Sequence, residues 1–129
     1  MQIGQLAKTV NCHIETIRYY EKIGLLLPAE RQANGYRIYT QTHLSHLRLI
    51  RRARSLGFTQ DEVRDLVELT KLNENPCDQV HQMALHQLTV MQKKLKEIQG
   101  MKKALRKLAN ACETGEHESC PVLNELTAE

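Results

Sequence analysis

The chain has 129 residues and a net charge of +3, with 4% aromatics and no tryptophan, so its core must be built from Leu, Ile, Val and Met. No run of about 20 apolar residues occurs, which excludes a membrane-spanning helix, and the start lacks the apolar stretch of a secretory signal. We therefore expect a cytoplasmic protein, whose four cysteines are metal or redox groups and not structural staples. Charge is unevenly spread. Residues 1–54 carry nine Lys/Arg against three acids, a net +6, while the remainder carries nine against twelve, a net −3. A basic first half points to nucleic acid touched by that half alone.

In chain order, residues 3–9 read as a short helix, with Ile3, Leu6 and Ala7 apolar, and Asn11, Cys12 and His13 form a break. A second helix follows over 14–23, ended by Gly24. Two short helices joined by a tight turn make a helix-turn-helix, whose second helix enters the major groove. On it Thr16, Arg18, Tyr19 and Tyr20 are candidate DNA contacts, one tyrosine offering a hydroxyl to phosphate while the other packs inward. Leu25, Leu26, Leu27 and Pro28 form an extended exit. Asn34-Gly35 then predicts a two-residue hairpin turn, a basic wing bearing Arg31, Tyr36, Arg37 and Tyr39 as further DNA contacts. Thr40 caps a third helix to Ser55, carrying Arg48, Arg51, Arg52 and Arg54 as solvated or phosphate-facing groups. Thr59 caps a fourth, with Glu62 completing a capping box.

Asn73 to Pro76 leads into a periodic run over 79–111. Its apolar positions are Val80, Ala84, Leu88, Met91, Leu95, Ile98, Met101, Leu105 and Leu108, at steps mostly of four and three. So narrow a stripe on so long a helix needs a partner helix, and a second copy of the chain is the simplest one. Cys77 stands before the run and Cys112 after it, 35 positions apart. That is about 50 Å at roughly 1.5 Å per residue. In an antiparallel pair the two ends of opposite chains come together, and a loop through Gly115 can return Cys120 to Cys112. Each site would hold Cys112 and Cys120 of one chain and Cys77 of the other. His117 is a possible fourth ligand, and His81 and His86 possible supporting groups. Pro121 opens a last short helix.

Ile3-Gly-Gln-Leu-Ala-Lys8, Glu15-Thr-Ile-Arg-Tyr-Tyr-Glu21, Gly24-Leu25-Leu26, Asn34-Gly-Tyr-Arg-Ile-Tyr39 and Ile50-Arg-Arg-Ala-Arg-Ser-Leu-Gly-Phe58 resemble the MerR family of transcriptional regulators over nearly the whole chain. The resemblance agrees with a mainly α fold in three parts. Residues 1–70 are a winged helix-turn-helix, residues 71–111 a dimerisation helix in an antiparallel coiled coil, and residues 112–129 a metal-binding loop with a short helix. It implies a homodimer on promoter DNA, no enzyme activity, and an effector that distorts an over-long promoter spacer so that RNA polymerase can engage. Such a regulator both represses and activates, typically of a metal efflux or resistance gene.

Cys77, Cys112 and Cys120 match the thiolates of the metal-sensing branch. Monovalent-copper sensors of the family carry Ser where this chain has Cys77, and divalent sensors carry Cys. A third thiolate suits divalent cadmium, lead, zinc or mercury, whereas two suffice for linear monovalent copper. The seven-residue interval between Cys112 and Cys120 resembles the copper sensors, and Cys12 resembles the cadmium- and lead-responsive subgroup. We expect a cadmium or lead sensor, with zinc and mercury next and Cu(I) as the alternative. A rival reading from another class is a thiol redox sensor using Cys112 and Cys120. A third is a purely structural zinc-stabilised dimer. Fewer than 20 residues follow Cys112, too few for the ligand domain of multidrug-type relatives.

Overall fold

The computed structural model describes residues 1–72, 74–113 and 119–129, with Cys112 described by its backbone. It falls into two units, Met1–Met83 and Ala84–Glu129. The first holds α1 (Ile3–Val10), α2 (Ile14–Lys22), β1 (Glu30–Arg31), β2 (Arg37–Ile38), α3 (Gln41–Ser55), α4 (Gln60–Leu69) and the opening turns of α5 (Cys77–Cys112). The second holds the rest of α5 and α6 (Pro121–Thr127).

In the first unit α1 contacts both α2 and α3, and α3 contacts α4. Leu6, Ile17, Leu26, Leu47, Ile50 and Val63 are fully buried where these helices meet. The α1–α2 turn rests on Asn11, whose left-handed backbone (φ 58°) is tolerated because asparagine suffers less there than other side chains. Arg51 of α3 donates to the Asn11 carbonyl at 3.3 Å, fixing the turn to the core.

Both helix starts read from threonine are present as reciprocal capping boxes. At α4, Thr59 Oγ1 accepts from the Glu62 N–H at 3.2 Å and Glu62 Oε1 from the Thr59 N–H at 3.0 Å. At α3 the third-position partner is a histidine. His43 Nδ1 accepts from the Thr40 N–H at 3.0 Å, which leaves Nε2–H to donate to the Pro28 carbonyl at 2.9 Å. His43 is thus fully buried yet hydrogen-bonded at both ring nitrogens, and it ties the helix start to the chain entering the wing.

The wing differs from the sequence reading in one respect. Strands β1 and β2 pair antiparallel with Arg31 opposite Arg37, and the Gln32 N–H donates to the Tyr36 carbonyl. The Gly35 N–H turns back to the Gln32 carbonyl, and Gly35 has φ 85°. The loop is therefore three residues long, Ala33 to Gly35, and not a two-residue Asn-Gly turn. Asn34 Oδ1 accepts from the Tyr36 N–H at 3.1 Å, closing the tip.

Helix α5 runs 36 residues without interruption and starts at Cys77, two residues before the sequence reading put it. Asn75 Oδ1 accepts the Cys77 N–H at 3.1 Å, and Pro76 needs no donor partner at a helix start. Met83 packs on the core of the first unit, which explains why the opening turns of α5 belong to it.

Candidate nucleic-acid interface and metal-ligating cysteines

Five of the eight proposed DNA contacts converge, four of them exposed and the fifth, Tyr39, buried beneath them. Arg18 on α2, Arg31 on β1, Tyr36 at the wing tip and Arg37 on β2 line one solvent-open cleft of about 420 Å³, with Gln2 and Ile3 at its edge. All four are exposed, Tyr36 at 65%. Three guanidiniums on one concave surface make a strong anion site and present forks suited to phosphate or to a guanine edge. Arg31 also donates to the Gly35 carbonyl at 3.2 Å, which stiffens the wing from the cleft side.

Tyr19 does not line this cleft; it is half-exposed, and its hydroxyl oxygen accepts from Gln60 Nε2 at 3.3 Å, leaving its O–H free to donate. Thr16 is half-buried one turn earlier. Tyr20 and Tyr39 are corrections. Tyr20 lies three residues after the buried Ile17, on the same helical face, and is 8% exposed: it is the inward tyrosine of the pair. Tyr39 is 2% exposed. Its backbone pairs with Met1 in both directions, each bond 2.7 Å, which turns the ring into the core edge-on to His43, centroids 5.2 Å apart. Its hydroxyl lies buried near Glu21, and burial first, then that carboxylate, pushes the phenol pKa up to about 12. Tyr39 forms part of the cleft floor and does not offer a phosphate contact.

Two groups were not legible beforehand. Gln2 reaches the cleft only because Met1 is pinned to Tyr39. His43 positions the wing through a capping box in which Glu or Gln is the usual signal, so nothing in the sequence marked it. The arginines of α3 are partly structural, since Arg54 donates to the Phe58 carbonyl at 2.6 Å.

The cysteines occupy the ends of α5 and the start of α6. Cys77 is exposed in the first turn of α5, and Cys112 is its last residue. Cys120 is exposed and takes the N-cap position of α6, ahead of Pro121. An unbroken helix keeps Cys77 and Cys112 of one chain apart. Among the described residues no three potential ligands gather within the single chain. His117, Gly115 and the intervening acids lie outside the described residues. Cys12 packs against the core, and burial pushes its thiol pKa up against the opposing pull of Arg51, which disfavours the thiolate a metal needs.

The apolar stripe is largely uncovered. Leu88, Leu95, Ile98, Met101 and Leu105 are each more than half exposed. A row of this length exceeds what a single chain leaves in water without a partner. No helix among the described residues is long and apolar enough to cross a membrane.

Residues 1–70 match the family described as MerR HTH family regulatory protein, and residues 44–108 the family described as MerR, DNA binding. Over 127 residues the chain is 36% identical to the HTH-type transcriptional regulator CueR of Escherichia coli O157:H7, spanning 98% of this chain and 94% of that protein. Among solved structures it resembles the transcription regulator PbrR691 from Ralstonia metallidurans CH34 in complex with lead(II), with a TM-score of 0.83, 33% identity and coverage of 98% and 99%. It also resembles MerR from Bacillus megaterium MB1 in complex with mercury(II), with a TM-score of 0.77, 29% identity and coverage of 99% and 100%.

Proposed function

The chain belongs to the MerR family of transcriptional regulators, and from that premise we propose that it senses a soft divalent metal through three cysteines drawn from two chains. It is a metal-responsive DNA-binding regulator that acts as a homodimer on promoter DNA with RNA polymerase, and it is not an enzyme. We assign DNA binding to residues 1–70, dimerisation to 71–111 and metal binding to 112–129. Arg18, Arg31, Tyr36 and Arg37 would hold the duplex, with Thr16 and Tyr19 beside them.

The observation that carries the metal reading is that Cys77 and Cys112 cap opposite ends of one uninterrupted helix. Only a second, antiparallel copy supplies Cys77 to the Cys112 and Cys120 of the first. Three soft thiolates fit cadmium, lead or mercury, and zinc if His117 adds a fourth donor. A bound ion would tie the two chains together at each end of the dimer. A change in dimer geometry there would reach the DNA as altered bend and twist of the promoter.

Cu(I) is the second reading. It is favoured by the identity to CueR and by the Cys112–Cys120 interval, since two thiolates satisfy a linear monovalent ion. A competitive titration of the reduced dimer with Cd, Pb, Zn, Hg and Cu(I) separates the two. Divalent binding at one ion per protomer that weakens in Cys77→Ser supports the three-thiolate site. Tight Cu(I) binding indifferent to Cys77→Ser assigns a copper sensor. Mixed dimers of Cys77→Ser and Cys112→Ser chains should regain one intact site. If they stay metal-blind while each chain still binds promoter DNA, the cross-chain site is wrong.

A further inference from the structure

The back half of α5 is charged far more heavily than a solvated helix requires. Seven of residues 93–107 are Lys or Arg, against the single acid Glu97. All of them are exposed, and none enters an ion pair among the described residues. In the first unit, by contrast, Arg51, Arg54 and Arg64 each hold a backbone carbonyl.

Helical spacing sorts these cations. Lys93, Lys96, Lys103 and Lys107, with Gly100 between them, recur at steps of three and four and so form one row. The row is about 21 Å long at roughly 1.5 Å per residue. It lies opposite the stripe of Leu95, Ile98 and Leu105, so a second copy seated on the stripe leaves it open. A face that only needs solubility alternates signs and gains from Glu–Lys pairs one turn apart. Here Lys103 and Lys107 repel each other at that spacing.

The row also has a shaped centre. Gly100, Lys103, Ala104 and Lys107, with Arg106 and Asn110, line an open hollow of about 540 Å³. A Cβ placed on Gly100 would meet nothing within 4 Å. Gly100 and Ala104 thus leave a shallow, solvent-open apolar patch bordered by cationic side chains.

We propose that this face docks an acidic protein segment carrying an apolar anchor side chain between its carboxylates. The lysines would meet the carboxylates, and the anchor would sit over Gly100 and Ala104. A DNA duplex would also satisfy the lysines, but it has no side chain to seat in an apolar hollow, so the hollow favours protein. The inference needs only the helix and stands apart from the metal site.

The test uses the full-length dimer and a fluorescent helical peptide of about 15 residues, long enough to span the row. The peptide bears glutamates facing the lysines and one central leucine. Binding should be saturable and unchanged by Arg18→Ala, which separates it from the DNA cleft. Lys103→Glu with Lys107→Glu, Gly100→Leu, and replacement of the peptide leucine by serine should each weaken it about tenfold or more. Gly100→Leu raises helix propensity, so its effect is not loss of fold, and helicity by circular dichroism should be preserved. Equal binding of the leucine and serine peptides, or indifference to Gly100→Leu, would overturn the proposal in favour of a merely charged surface. Binding of a random duplex, lost on charge reversal while the peptide fails to bind, would overturn it in favour of nucleic acid.

Discussion

The two units of this molecule solve the burial problem differently. Met1–Met83 closes its core within one chain, with Leu6, Ile17, Leu47, Ile50 and Val63 at or near zero exposure. Ala84–Glu129 leaves Leu95, Ile98, Met101 and Leu105 open to water. The first unit covers its apolar groups within one chain, while the stripe of the second is left uncovered within one chain. The proposed DNA-reading surface sits in the unit that closes its own core, and two of the three candidate thiolates, Cys112 and Cys120, sit in the unit that does not.

The sharpest way to break this contrast is to charge the stripe. Ile98→Glu with Leu105→Glu should give a monomer by light scattering whose first unit stays folded. Operator affinity should fall by roughly 100-fold or more, because two linked half-site contacts become one. If the dimer survives, the stripe is not the interface. Next, Leu47→Ala should cost about 2–5 kcal/mol in urea unfolding, since the leucine is fully buried between helices. The matching Leu105→Ala should barely move the unfolding of the first unit. Arg18→Ala should weaken operator binding by about 1–3 kcal/mol in a gel-shift titration and leave metal affinity unchanged. Thr59→Ala removes the oxygen that accepts the Glu62 N–H and should lower stability by about 1 kcal/mol.

The smallest effect is expected at Tyr39, where Tyr39→Phe should leave operator affinity intact while Tyr36→Phe reduces it. Its titration is informative all the same. A phenol held up to about 12 in the fold, against about 10 unfolded, stabilises the native state fully below pH 10. That contribution is lost as pH rises through 10 towards 12. An absorbance titration should therefore show one tyrosine ionising late, and Tyr39→Phe should flatten alkaline destabilisation over that window.

Much of the fold was legible because local chemistry and global packing agree. Thr59 with Glu62 marks a helix start, Asn11 to His13 a break, and the three–four steps from Val80 to Leu108 a long helix. The misses turn on packing and pairing that residue types alone do not show, one contact distant in sequence and two within a turn of chain. Tyr39 reads as an exposed strand aromatic, and only its pairing with Met1 turns it inward. Tyr20 and Tyr19 are neighbours with the same side chain, and which one is buried depends on register against Ile17. The Asn34-Gly35 pair announces a hairpin, yet loop length is fixed by the ladder bond between Gln32 and Tyr36. At the candidate metal site the thiols were readable as residue types at suggestive intervals, but among the described residues of one chain no three potential ligands gather.

Met83 gives the opening of α5 a mechanical meaning. It anchors those turns to the body that carries Arg18 and the wing, and Cys77 lies before it on the same helix. Cys77, Met83 and Arg18 therefore belong to one unit, and under the proposed metal reading a pull on that sulfur would be a torque on the promoter.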